Sequence, residues 1–156
     1  VRGKTRTRVP GEMTMDLIRD ETVFPSALMH CIGFEEVLSQ GADGTAEVRF
    51  RARPEFAHSK GTTVQGGIVT AWLDCAMAWA VNARDPARSI ATLDMSVKYL
   101  ARVSVDAHVC RARVVKWGRS VAFLEAELYD LQGKCLTRAS SAGLLLAADP
   151  VQDRGR

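Results

Sequence analysis

The sequence holds only four cysteines, Cys31, Cys75, Cys110 and Cys135, with no C-x-x-C pair and no close cysteine–histidine cluster. That pattern excludes a zinc site and a dense disulfide framework, and it suits a reduced, cytoplasmic setting. No metal and no cofactor is expected. The apolar runs stop short of the roughly 20 residues a membrane-spanning helix needs. The opening Val-Arg-Gly-Lys-Thr stretch lacks an apolar core, so no secretion signal is expected. Internal repeats and low-complexity linkers are missing as well. A broad excess of positive charge is also lacking: the net charge is +3, and Arg2, Lys4, Arg6 and Arg8 alone put four positive charges near the start. Without them the body is close to neutral, which argues against nucleic acid as a partner and reads the basic tip as a solvated terminus.

What remains is an ordinary globular composition, 47% hydrophobic and 25% charged over 156 residues, enough for one domain with its own core. Residues 1–32 read as an N-terminal arm with short helical segments, in which Pro25 marks a break. Residues 33–147 read as the folded domain and 148–156 as a tail.

From residue 33 the pattern turns to period two. Ala46, Val48 and Phe50 alternate with Glu47, Arg49 and Arg51, the mark of a half-buried strand. Gly41, Asp43 and Gly44 make the preceding turn, so residues 33–39 are expected to pair with it as a hairpin. Residues 57–64 are polar and loop-like. One clear helix follows from about Gln65. Between Ile68 and Val81, twelve of fourteen residues are hydrophobic, Thr70 and Asp74 being the exceptions, so the helix is buried on most sides. After it come four β segments, about 88–101, 105–117, 119–130 and 134–147, expected to form a curved antiparallel meander. An α+β arrangement in which the sheet wraps one long central helix is the hotdog architecture.

The start of that helix carries the chemistry. Gly66 and Gly67 allow a ligand to approach the backbone closely. The first N–H groups of a helix have no intrahelical partner and lie at its positive end. Gly67 N–H can therefore stabilise the oxyanion that develops on a thioester carbonyl, with Gln65 as a second amide donor. Asp74 has only Thr70, Ala71, Met77 and Ala78 one turn away, so no local cation compensates it. A carboxylate on an apolar helix is costly unless it is bonded, paired from elsewhere or open to a cleft. It is either a catalytic base or nucleophile, or a group satisfied at an interface. It shares a face with Gly67 but lies roughly 10 Å along the axis, too far for one carbonyl to touch both in a single chain. A second subunit can close that gap.

The segment Gln65-Gly66-Gly67 through Leu73-Asp74 resembles the H-G-G-x6-D signature of PaaI-type hotdog thioesterases, and the resemblance extends from about 33 to 146. It implies hydrolysis of an acyl-CoA thioester, with Asp74 as nucleophile or water-activating base and Gly67 N–H polarising the carbonyl. Thr92-Leu-Asp94 through Tyr99-Leu100 matches the family's next block, which implies that Thr92 orients the attacking water from the partner subunit. Gly118-Arg119-Ser120 resembles the family's turn near the CoA entrance. Two departures stand out. Gln65 replaces the family's His, and Ser59, with His58 beside it, stands where the family has Asn. Both residues join Gly66 as candidates on the substrate side. Lys98, Arg102 and Arg119 are candidates for CoA phosphate contacts through charge-assisted bonds, or plain surface charges. Trp72, Met77 and Trp79 line an acyl pocket or simply fill the core. A homodimer, itself paired into a dimer of dimers, is the expected assembly.

Two other functions compete. A hotdog enoyl-CoA hydratase or dehydratase pairs a His with an acid across the site; only His30, His58 and His108 are available, and none lies in such a motif. A non-catalytic acyl-CoA-binding module is the second.

Overall fold

A computed structural model describes residues 26–148. A one-and-a-half-turn helix, α1 (Ser26–Cys31), leads into β1 (Phe34–Gly41) and β2 (Thr45–Arg51). The rest of the expected helical stretch, 13–25, lies outside the described residues. A 3-10 turn (Pro54–Phe56) follows, and then β3 (Ala57–His58) and β4 (Thr63–Val64) form a miniature hairpin in the segment expected to be loop. Its turn runs through Ser59, Lys60 and Gly61, at φ of 52°, 62° and 77°. Two non-glycine residues in succession in the left-handed region make this a strained tip. The long helix α2 spans Gly66–Arg84, and β5 (Arg88–Tyr99), β6 (Ala107–Trp117), β7 (Val121–Tyr129) and β8 (Cys135–Ala147) complete the chain.

The six long strands form one antiparallel sheet in the order β1-β2-β6-β7-β8-β5. Its inner face curves around α2, which makes the expected α+β hotdog architecture. The simple meander is corrected in one respect: β5 does not neighbour β6. It lies at the far edge beside β8, and the chain crosses back through 100–106 to place β6 in the middle. The fit between the two strands is close: at Gly143 an added Cβ would lie 2.4 Å from the Ile90 side chain, so a larger residue there would force Ile90 or β5 to shift. The returning connector is fixed at both ends, by Val64 N–H to Val103 O (2.9 Å) and Ala52 N–H to Asp106 O (2.8 Å).

The core is the apolar side of α2 against the sheet. Val69, Trp72, Leu73, Met77, Ala80 and Val81 pack on Val48, Phe50, Leu124 and Leu128, all buried. Trp72 lies between Phe50 (centroids 5.6 Å apart) and His108 (5.8 Å), and its indole N–H donates to Ile32 O at 2.6 Å. Trp72, Met77 and Trp79 are therefore core. On the opposite side of α2, Gly67, Thr70, Ala71, Asp74 and Ala78 recur at helical spacing and keep partial exposure. The helix is buried on most sides, and this stripe is its one open face. Among the described residues, no helix is long and apolar enough to cross a membrane.

Candidate functional site

Asp74 lies midway along the open stripe and is half-buried. Its Oδ1 accepts a hydrogen bond from Thr92 Oγ1 at 2.6 Å. That contact depends on an irregularity in β5. Thr92 pairs with Gly143 and Asp94 with Ala142, which leaves Leu93 as an extra residue, 62% exposed. A bulge of this kind turns the strand by one side-chain step. Thr92 thereby faces the helix while Asp94 and Lys98 face outward. Ser141 Oγ, donating to Asp94 O at 2.8 Å, fastens the strand just beyond. Thr92 and Asp74 thus meet within one chain.

No salt bridge reaches Asp74 among the described residues. Most of the ion pairs instead join neighbouring strands of the sheet, as in Arg111–Glu47 (2.9 Å) and Arg138–Glu127 (2.8 Å). The adjacent thiol does not compete as a nucleophile. Burial, with the Asp74 charge adding to it, pushes Cys75 well above the ordinary thiol range, and burial does the same to Cys110.

At the helix start, Gln65 is the N-cap. Its side-chain Oε1 accepts from Gly67 N–H. The sequence assigns Gln65 a donor's part toward a substrate carbonyl; in the structure its oxygen is an acceptor, lying on the Gly67 N–H. Gln65 and Gly67 are both exposed.

The peptide between Gly66 and Gly67 is also held from the other side. Tyr99 Oη donates to Gly66 O at 2.8 Å, Thr70 Oγ1 lies 3.0 Å from the same oxygen, and the two hydroxyls are 2.8 Å apart. An added Cβ on Gly66 would lie 3.0 Å from Tyr99 Oη and 3.1 Å from its Cζ. A side chain at Gly66 would press on the tyrosine, which would have to give by a few tenths of an ångström. Sequence reasoning gave neither Tyr99 nor Thr70 a role. Their signals were a polar residue on an apolar helix and a tyrosine in a matched block, but only the β5 register brings them together.

The other candidates disperse. His58 Nδ1 and Ser59 Oγ are 2.6 Å apart at the exposed tip of the β3–β4 hairpin, bonded to each other and not to Asp74 or Gln65. Lys98 points to the outer sheet face opposite Arg138, away from α2. Arg102 is exposed on the connector after β5, and Arg119 is exposed in the β6–β7 turn near the Thr92 end of the sheet. In one chain they form no common cation cluster. His108 is wholly buried against Trp72, with Nδ1 3.0 Å from Asp106 O, and burial lowers its pKa. Among the described residues no histidine side chain is bonded to a carboxylate, so no hydratase-type His–acid pair is formed there. Among the described residues no cluster of metal-ligating side chains occurs.

The family model described as thioesterase superfamily matches residues 61–137, which contain Gln65, Gly67, Asp74, Thr92 and Tyr99. No functionally curated protein matches the chain. Among solved structures, a conserved Pseudomonas aeruginosa protein is 26% identical, with 82% of this chain and 99% of that one covered and a TM-score of 0.73. A phenylacetic acid degradation-related protein from Ralstonia eutropha is 25% identical, covering 80% and 96%, with a TM-score of 0.69. A mutant of the phenylacetic acid degradation protein PaaI from Thermus thermophilus is 25% identical, covering 77% and 99%, with a TM-score of 0.67. Sequence and fold agree on the resemblance first read from the Gln-Gly-Gly and Asp74 segment.

Proposed function

We propose that this chain, which resembles the thioesterase superfamily in sequence and PaaI-type proteins in fold, is an acyl-CoA thioesterase that releases free acid and CoA, with Asp74 as its catalytic carboxylate. The observation that carries this reading is the state of Asp74: half-buried on the open stripe of α2, aligned by Thr92, and free of any cation among the described residues. A carboxylate kept unpaired at that cost, and oriented by a single hydroxyl, is poised for chemistry.

The site is completed by a second copy of the chain. Gly67 and Asp74 lie about two helical turns apart, roughly 10 Å, so one carbonyl cannot reach both within a single chain. β5 is an edge strand with an unpaired side, and two such edges can pair antiparallel about a two-fold axis. The α2 helices then lie side by side, and Asp74 of one copy approaches Gly67 of the other. A dimer of dimers built on this unit is the proposed larger assembly.

The thioester carbonyl docks on Gly67 N–H after Gln65 has moved aside, and its oxygen gains negative charge against that donor as the carbon becomes tetrahedral. Asp74 either attacks the carbonyl carbon directly or removes a proton from a water that attacks it. In both routes the C–S bond breaks and the thiolate leaves as CoA. In the first, water then cleaves the mixed anhydride on Asp74. Isotope-labelled water under single turnover separates them, since label appears in Asp74 only by the covalent route. The outward Lys98 and the exposed Arg102 and Arg119 are left to contact CoA phosphates across the assembled dimer, and His58 and Ser59 to flank its entrance.

The test is Asp74→Asn, assayed for thiol release from acetyl-, octanoyl-, palmitoyl- and benzoyl-CoA. Loss of release with an unchanged fold supports the assignment; turnover near that of the wild type removes it. The wild-type profile over the same esters identifies the acyl group.

A further inference from the structure

Gly66 C=O and Gly67 N–H are the two ends of one peptide group. The proposed oxyanion donor is therefore not an isolated N–H: its far end is gripped by two hydroxyls, Tyr99 Oη at 2.8 Å and Thr70 Oγ1 at 3.0 Å. With those hydroxyls 2.8 Å apart, each has one hydrogen to give. Either both donate to the carbonyl, or one donates to it and accepts from the other. Every arrangement delivers at least one hydroxyl hydrogen to Gly66 O. Hydrogen bonds in such a chain polarise one another, and a peptide whose oxygen accepts becomes a better donor at its nitrogen.

We propose that Tyr99, seconded by Thr70, is a positioning residue for thioester hydrolysis, which orients and polarises the Gly66–Gly67 peptide so that Gly67 N–H meets the developing oxyanion. The inference rests on the thioesterase reading above and deepens it. One observation separates this role from plain packing. The phenol meets the helix through its hydroxyl, at hydrogen-bond distance from both Gly66 O and Thr70 Oγ1, and a Cβ at Gly66 would lie 3.0 Å from Tyr99 Oη, so glycine lets that hydroxyl approach without being displaced. β5 supplies both ends of the arrangement. Thr92 near its middle orients Asp74, and Tyr99 at its end orients the donor peptide. In the paired dimer one edge strand thus aligns an acid for one site and an oxyanion donor for the other.

The experiment compares wild type, Tyr99→Phe, Thr70→Val and Thr70→Ser on the best ester of the panel. It also records the carbonyl stretch of that ester's ketone analogue, in which methylene replaces the sulfur, when bound to each protein. Tyr99→Phe keeps the ring and removes only the hydroxyl. The expected result is a kcat about tenfold lower with KM within about twofold, the signature of an interaction made mainly in the transition state. The bound analogue's stretch moves to higher frequency, Thr70→Val shows the same direction, and Thr70→Ser stays near wild type. Unchanged kcat and an unmoved stretch in Tyr99→Phe overturn the inference. So does a fall in kcat that tracks a lowered melting temperature equally in Thr70→Val and Thr70→Ser, because that is a structural effect. A wild type that releases no thiol from any ester overturns the thioesterase reading itself, and this inference with it.

Discussion

Thr92 and Asp74, eighteen residues apart in the chain, are joined by a 2.6 Å hydrogen bond from hydroxyl to carboxylate that ties edge strand β5 to the open face of α2. The bond leaves the second carboxylate oxygen, Oδ2, without a hydrogen-bond partner among the described residues and fixes the plane of the group.

Removing that bond should cost activity more than stability. A hydrogen bond to a charged group is worth about 1.5–3 kcal/mol. Thr92→Val is therefore expected to lower kcat/KM by about ten- to a hundredfold, while Thr92→Ser, which keeps the hydroxyl, stays within a fewfold of wild type. Steady-state kinetics beside thermal melting check this. A Thr92→Val enzyme with unimpaired turnover contradicts the alignment role.

Gly143 should tolerate no side chain. A Cβ there meets Ile90 Cδ1 and Cγ1 at 2.4 Å, so either Ile90 or β5 must move. Overpacking of this kind costs about 1–3 kcal/mol. Gly143→Ala should lower the denaturant midpoint by that much, and the double variant with Ile90→Ala should recover part of it. Because Gly143 opposes Thr92, the single variant should also lose activity.

His108 makes stability pH-dependent. Its folded-state pKa lies below the usual 6.5, because burial against Trp72 disfavours the imidazolium more than Asp106 stabilises it. Below pH 6.5 the unfolded chain takes up a proton that the folded chain refuses. The stability contributed by neutral His108 is therefore fully present above 6.5 and falls as pH drops through the window down to the lowered value, where it levels off. Denaturant midpoints from pH 5 to 8 should show that slope for wild type. A His108→Phe variant, if it folds, should flatten it.

The length of α2, the β1–β2 hairpin and the four later strands were all legible from periodicity, because each is a local pattern of apolar and polar residues. The strand order was not. β5 sits beside β8 through a ladder in which Ile90 packs against Gly143, a fit between residues more than fifty positions apart that leaves no local mark. The site was half legible: an uncompensated Asp74 and a Gly-Gly helix start are visible in any reading of residues 65–74. Their surroundings depended on one inserted residue. By simple alternation Thr92 and Lys98, six apart, share a face. The bulge at Leu93 reverses that, sending Thr92 to the carboxylate and Lys98 to the outer surface. Likewise, the Gln65 amide was readable as a donor from its type, but cap geometry turned its oxygen toward Gly67.

The central claim, that Asp74 of one copy works with Gly67 of another, is tested most directly by mixing two inactive variants. Asp74→Asn removes the acid; Gly67→Pro removes the N–H within the first turn of α2, where no intrahelical bond depends on it. Each alone should release no thiol from acyl-CoA. Unfolded and refolded together, random pairing makes half the dimers mixed, and each mixed dimer regains one intact site, so about a quarter of wild-type turnover should return. If the mixture stays as inactive as its components while mixed dimers are demonstrably present, the two groups do not act across copies and the proposed site is wrong.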